Sequence, residues 1–294
     1  MPTGANFRLS RIVIVESLES HELKTGAEVA ELVNTSDDAS RLRLAAEYCA
    51  CDNAPEFIRI VSNLSLDVQS TGRVPLLHVE CHGDQDEGLE FRNGSVLGWQ
   101  ELSSLLVDLN HATRFNLIAV FSACYGAHFL ARMDSIDPAP CYAMIAPTDA
   151  VRDYEILSGF RTFYTTLFRE RDAGVAIDAM MKLNLTEGKW FAELAEFWYE
   201  RVTVGYVQMH CTKSEMKRRA LRMHRKLQAD GSNVDLGGLK RSLVELNRLN
   251  LLGAFFDRYF MTKDIPENAP RFQALRSRVD ARLRVLRASG RYGI

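Results

Sequence analysis

Four short runs of aliphatic and β-branched residues, RIVIV (11–15), PLLHVEC (75–81), FNLIAVFSAC (115–124) and CYAMIA (141–146), alternate with segments of helical spacing. A run that is apolar along its whole length suits a strand covered on both faces, and such strands belong to parallel sheets packed between helices. The alternation therefore predicts an α/β sandwich around a mostly parallel central sheet over the first 185 or so residues. Helices are expected over 25–35, 54–68, 98–110, 153–170 and 173–184, and one starting at 125–133. GLEFRNGSVL (88–97) reads as a hairpin turning at Asn93-Gly94. RLRLAAEYC (41–49) alternates at first, as a strand near a sheet edge would.

The character changes after RVTVGYVQMHC (201–211). The stretches 213–228, 236–252, 255–263 and 271–289 all carry helical spacing, punctuated by ADGSN and PENAP. The chain of 294 residues has a net charge of −2, but residues 201–294 hold 20 Lys and Arg against 8 Asp and Glu, whereas 1–200 hold 16 against 30. Opposite signs predict two physical units, 1–200 and 201–294. Either the basic part packs on the acidic body, or it binds an anionic partner such as nucleic acid. It lacks an Arg/aromatic motif of a known nucleic-acid module. The apolar run near the start is too short for a signal peptide, and no window reaches the apolar length of a membrane helix. A cytoplasmic protein with no membrane partner is expected. The six cysteines, Cys49, Cys51, Cys81, Cys124, Cys141 and Cys211, form no CxxC pair and are expected as free thiols.

Parallel sheets gather function at the carboxyl ends of their strands. Two strands here end on reactive residues: one delivers His82-Gly83, the other Cys124, followed by Tyr125-Gly126. A thiol is a poor nucleophile until ionised, and a histidine can take its proton. A helix starting behind Cys124 would add partial positive charge near the sulfur. The backbone N–H groups of Gly83 and Cys124 are candidate oxyanion donors, with glycine admitting a close approach. Taken singly, a cysteine at a buried strand end is a small core residue and a histidine there a loop residue. Their joint placement, each beside a glycine, gives the catalytic reading its weight. Histidine precedes cysteine by 42 positions, the order and rough spacing of caspase-like peptidases rather than of papain-like ones.

These segments resemble a family. LLHVECHG is similar to the HxxxHG strand of CHAT domains, the caspase-like cysteine peptidases of clan CD. GLEFRNGSVLGWQELSSLL resembles the hairpin and helix that follow it there. LIAVFSACYGA resembles the family's nucleophile strand, and YAMIAPTDAVRDYEILSGFRTFYTTLF its next strand and helix. The likeness runs from about residue 11 to 185. It implies a caspase-like three-layer sandwich, followed here by a helical C-terminal region, with His82 and Cys124 as a peptidase dyad and no cofactor. By analogy it implies regulated proteolysis or antiviral defence in a bacterium, with a protein substrate. The C-terminal helices, which have no counterpart in the family's core domain, are expected to dock a partner, a regulatory protein or a substrate. The family's usual Trp-Pro-Val-x-Asp stands here as APTDAV, a departure that bears on the substrate pocket. A non-catalytic interaction module and a nucleic-acid-binding effector remain the alternatives.

Other residues fall around this pair. His78 lies four before His82 on the same strand face, as active-site floor or pocket. Ser122, two before Cys124, is expected to line the site. Asp149 and Asp153 follow the next strand: an acidic pocket would favour Arg or Lys at the cleaved position, while Asp153 could instead cap a helix. The acids after Gly83 have no metal-ligand spacing, so no metal is expected.

Overall fold

The computed structural model describes residues 9–132, 137–249 and 253–294. The chain divides into two compact units: residues 1–133 with 139–195, and residues 134–138 with 196–294.

The first unit is α/β. Its strands are β1 (Arg11–Ser17), β2 (Ala46–Ala50), β3 (Pro75–Asp84), β4 (Gly88–Glu90), β5 (Val96–Leu97), β6 (Ile118–Ser122), β7 (Ala143–Pro147) and β8 (Trp190–Leu194). They form one mixed sheet in the order β2-β1-β3-β6-β7-β8, with β4 and β5 as a hairpin extending β3. β2, β1, β3, β6 and β7 run parallel and β8 closes the edge antiparallel. Its helices are α1 (Thr25–Thr35), α2 (Asp37–Arg41), α3 (Ala54–Thr71), α4 (Trp99–Ala112), α5 (Asp153–Glu170) and α6 (Ala173–Met181).

The central strands are buried throughout, β1 along all its residues and β6 and β7 likewise, which is what their unbroken apolar runs demand. Side-chain alternation divides β3 between two faces. His78 points to α5, packing edge-on to Phe160 with ring centroids 4.6 Å apart. Phe121 of β6 serves the other face, 5.3 Å from Phe129, which also meets Trp99 of α4 at 6.2 Å. α1 packs with α5, and α3 with α4. Gly159 lets α5 lie against Trp190, since a β-carbon there would enter the indole ring.

Several expectations are corrected. The alternating start of 41–49 is helix and turn: Ser36 accepts the Ala39 N–H at 3.2 Å to cap α2, Arg43 turns at φ +56°, and strand begins only at Ala46. β8 went unseen because its strand is short and runs directly into a helix. The segment behind Cys124 is a 3-10 helix over Gly126–Arg132, not an α-helix. Residue 133 of that expected helix lies outside the described residues. The hairpin is as expected: Phe91 N–H bonds Ser95 O at 2.9 Å and Asn93 Oδ1 accepts the Ser95 N–H at 2.9 Å.

The second unit is helical: α7 (Ala195–His210), α8 (Lys213–Ala229), α9 (Leu236–Leu249), α10 (Phe255–Tyr259), α11 (Asn268–Arg271) and α12 (Gln273–Ala288). The expected helix over 236–252 is α9, and its last three positions lie outside the described residues. Tyr199, Phe256, Tyr259, Phe260 and Phe272 form its aromatic core. Five of its arginines pair with three acids, and the net basic excess remains. Arg278 and Arg282 grip Glu200 at 2.7 and 2.8 Å, Arg276 meets Asp257 at 3.2 Å, and Arg218 and Arg222 pair with Glu215. No described helix is long and apolar enough to cross a membrane.

Candidate active site

The strand order places a topological switch between β1 and β3. The chain leaves β1 for β2 on one side, then returns to β3 on the other, and crevices form at the carboxyl edge beside such a reversal. β3 and β6 then set the two reactive residues side by side. Their parallel register runs from Leu76 opposite Ile118 to Glu80 opposite Ser122. That offset equals the 42-position spacing of His82 and Cys124, so both lie two residues past the last paired position, at one level of the sheet. Gly83 packs directly on this level: a β-carbon there would collide with the carbonyl oxygen of Cys124 and sit 3.2 Å from the Ala123 β-carbon. The sequence argument gave Gly83 room for a substrate. Instead, the space its missing side chain leaves is filled by the Cys124 main chain.

Cys124 sits on a sharp turn. Tyr125 takes a left-handed φ of +57°, uncommon for a residue with a side chain, and its N–H donates to Asp149 O at 3.2 Å. Gly126 follows because a β-carbon there would come within 3.0 Å of the Phe121 β-carbon and 3.1 Å of that of Ala146. The sulfur is half-buried and receives the Val151 N–H at 3.5 Å. The helix expected behind Cys124 is present as a short 3-10 helix entered through the left-handed Tyr125. Val151 N–H is the local donor that the structure provides.

His82 is half-exposed, and its Nε2 lies 3.0 Å from Oε1 of Glu22, in the connection between β1 and α1. Sequence reasoning missed Glu22. It lies sixty positions before His82, in a segment with several acids and no motif, and only the pairing of β1 with β3 brings it there.

Two assignments are overturned. His78 is fully buried, with Nδ1 2.8 Å from the Tyr164 hydroxyl and Nε2 2.9 Å from Glu80 Oε1, so it cannot line a substrate pocket. Ser122 is buried, and among the described residues its hydroxyl has no hydrogen-bond partner, so it does not line the site surface either. Both face inward because they lie below the carboxyl edge, under α1 and α5. Asp149 follows β7: its carbonyl oxygen accepts the Tyr125 N–H at 3.2 Å and its Oδ1 the Ala150 N–H at 2.9 Å, and its negative charge raises the Tyr125 phenol above its ordinary range. Asp153 is the exposed first residue of α5, bonding the Tyr154 N–H at 2.7 Å, while Arg152 occupies the cap position. The acidic run after Gly83 now has a local role. Asp84 Oδ1 accepts the N–H groups of Asp86 and Glu87 at 2.7 and 2.9 Å, closing the turn from β3 to β4.

Beneath the dyad lies a buried polar layer. Glu16 of β1 stands opposite Glu80 of β3 in the ladder. Glu80 Oε2 accepts the Thr25 hydroxyl at 2.6 Å. Glu16 Oε2 accepts the N–H groups of Gly26 and Ala27 at 2.8 and 3.2 Å, and Oε1 accepts the Tyr48 hydroxyl at 2.8 Å. The first turn of α1 has no side-chain cap of its own, and these carboxylates supply it from the sheet. Gly26 makes this possible, since a β-carbon would come within 2.8 Å of Glu16 Oε2.

The six cysteines are free thiols. Burial pushes the thiols of Cys51 and Cys211 up to about 11 and that of Cys141 to about 12, and raises Cys49 and Cys81. At pH 8 a thiol titrating near 11 is roughly one part in a thousand thiolate, and the thiolate is the form that alkylates. Native protein given limiting iodoacetamide at pH 8 is therefore expected to be carbamidomethylated first at Cys124. Peptide mapping that found Cys49 or any buried thiol modified first would contradict the site's accessibility. Among the described residues no three His, Cys, Asp or Glu side chains are grouped to hold a metal ion.

No family model matches this chain, and no curated protein matches its sequence.

Proposed function

We propose that this protein is a cysteine endopeptidase of caspase-like architecture, with Cys124 as nucleophile and His82 as its proton partner. The observation that carries the reading is the β3–β6 register, which sets a histidine and a cysteine at one level of the carboxyl edge, beside the β1/β3 switch. His82 takes the thiol proton as the Cys124 sulfur attacks the carbonyl carbon of the scissile peptide. The resulting oxyanion is held by backbone amides, for which Gly83 and Cys124 are the candidates. The imidazolium then gives its proton to the departing amine, leaving a thioester. Water, deprotonated by His82, attacks that thioester, and the sulfur leaves with the proton returned to the dyad. Every proton moved is supplied by the dyad, the substrate or water.

The substrate is a protein segment that can lie along the carboxyl edge. Asp149, whose carbonyl oxygen binds the N–H of Tyr125, the residue after Cys124, supports a basic residue at the cleaved position. A place in bacterial defence follows from the resemblance alone, and the C-terminal helices, which lie outside it, would dock a regulatory protein. The nucleic-acid reading rests on the net basic charge of 201–294 alone, since Arg218, Arg222, Arg276, Arg278 and Arg282 are already paired with acids.

The test is cleavage in a cell extract, with new N-termini mapped for the wild type, Cys124→Ala and His82→Ala. Cleavage at defined sites by the wild type, reduced by about 10³-fold or more in either variant, is the expected result. Equal cleavage by Cys124→Ala would dismiss the nucleophile. A folded wild type that cleaves nothing would favour a non-catalytic interaction module.

A further inference from the structure

Glu22 is held from both ends of its carboxylate. Oε1 lies 3.0 Å from His82 Nε2, and Oε2 accepts the Glu19 N–H at 2.5 Å. The connection that carries it is closed by Lys24, whose Nζ donates to the carbonyls of Leu18 and Glu19, both at 2.6 Å. One end of the connection is β1, paired with β3. The other is the first turn of α1, tied to the buried carboxylates of Glu16 and Glu80. A side chain so fixed is not a solvated charge that happens to lie near a histidine, because its position is set by the sheet below it.

We infer that Glu22 is the positioning residue of the site: it holds His82 through Nε2–H, leaving Nδ1 as the nitrogen that exchanges a proton with Cys124 and the leaving amine. The inference rests on the dyad reading above. A neutral imidazole carries one N–H, and an ionised carboxylate can only accept a hydrogen bond. A carboxylate at Nε2 therefore fixes the tautomer with the proton there. When Nδ1 takes a second proton during attack, the charge forms beside Glu22, which stabilises it without being protonated. The same bond restrains a ring that is otherwise half-exposed, and a restrained base loses less entropy on reaching the reactive geometry. Glu22 acts only through His82.

The experiment compares wild type, Glu22→Gln and Glu22→Asp by long-range proton–nitrogen correlation of the imidazole rings, with His82→Ala identifying the resonance. In the wild type, neutral His82 is expected as the Nε2–H tautomer. Glu22→Gln, whose amide can donate as well as accept, should give a mixture of tautomers, and Glu22→Asp should restore most of the wild-type signal. Cleavage by Glu22→Gln should fall about 10²-fold in kcat with little change in KM. An Nδ1–H tautomer in the wild type, or an unchanged tautomer and unchanged kcat in Glu22→Gln, overturns the inference while leaving the dyad standing. The expected tautomer shift with cleavage unaffected by Cys124→Ala overturns the peptidase reading and leaves the positioning of His82 intact.

Discussion

Replacing Glu80 by alanine is expected to cost the first unit about 2–6 kcal/mol, because it strips two buried groups of a hydrogen-bond partner. Glu80 is 1 % exposed and His78 0 %. Its two oxygens take the His78 ring at 2.9 Å and the Thr25 hydroxyl at 2.6 Å. Deletion leaves His78 Nε2 and the Thr25 hydroxyl buried without this partner, each costing about 1–3 kcal/mol, while His78 Nδ1 keeps the Tyr164 hydroxyl. It also opens space between the sheet and α1. With about 2–4 °C per kcal/mol for a unit of this size, thermal unfolding by circular dichroism should move down by on the order of 10 °C. Glu80→Gln keeps the shape and two hydrogen-bonding atoms and should cost less than half as much. If both variants unfold within about a degree of the wild type, the polar layer does not hold α1. Because α1 anchors the connection bearing Glu22, Glu80→Ala should also disturb His82, though it touches neither member of the dyad.

Gly83→Ala should have the largest effect on the site for the smallest change in composition. The new β-carbon would come well inside contact distance of the Cys124 carbonyl oxygen. A flexible side chain could swing aside, but a main-chain carbonyl cannot, and the turn it belongs to already contains Tyr125 at φ +57°. The structure must therefore move β3 and the Cys124 turn apart. The stability cost is about 1–3 kcal/mol, as for overpacking elsewhere. The functional cost is greater, since a displacement of roughly 1 Å at reacting groups removes about 10²-fold in rate. Cleavage and Cys124 alkylation are both expected to change sharply. Gly98→Ala is the control, since only the Glu87 carbonyl oxygen, 3.7 Å away, comes near the added carbon. Equal behaviour of the two variants would mean that close packing at Gly83 does not set the site.

The contrast between these two positions shows where local sequence patterns stop. His82 and Cys124 stood out because each ended an apolar run and each had a glycine near it. Glu80 did not, because an acid inside an apolar strand looks like an edge residue until its partners are known. Those partners, Thr25 and His78, come from a helix cap and from the same strand face. Tyr164, which completes the network, is 86 positions beyond His78. His78 itself was given to the pocket on strand alternation alone. Alternation fixes a face, but whether that face meets solvent or α5 depends on which helix covers it.

By itself the sequence determined the alternation of strands and helices, the hairpin at Asn93-Gly94 and the two strands that run out at His82 and Cys124. These depend on neighbours two to four residues away, where side-chain direction follows directly from backbone geometry. Only the tertiary structure decided the strand order, the antiparallel β8, the short 3-10 helix behind Cys124, and the buried layer of Glu16, Glu80 and His78. It also brought Glu22 to His82 and set His82 level with Cys124. Each of these is a contact between distant positions, fixed by which strands pair and in what register, and register is selected by burial of whole faces at once. The spacing of 42 residues could be read in the chain, but the sheet gave it meaning by pairing β3 and β6 at that same offset.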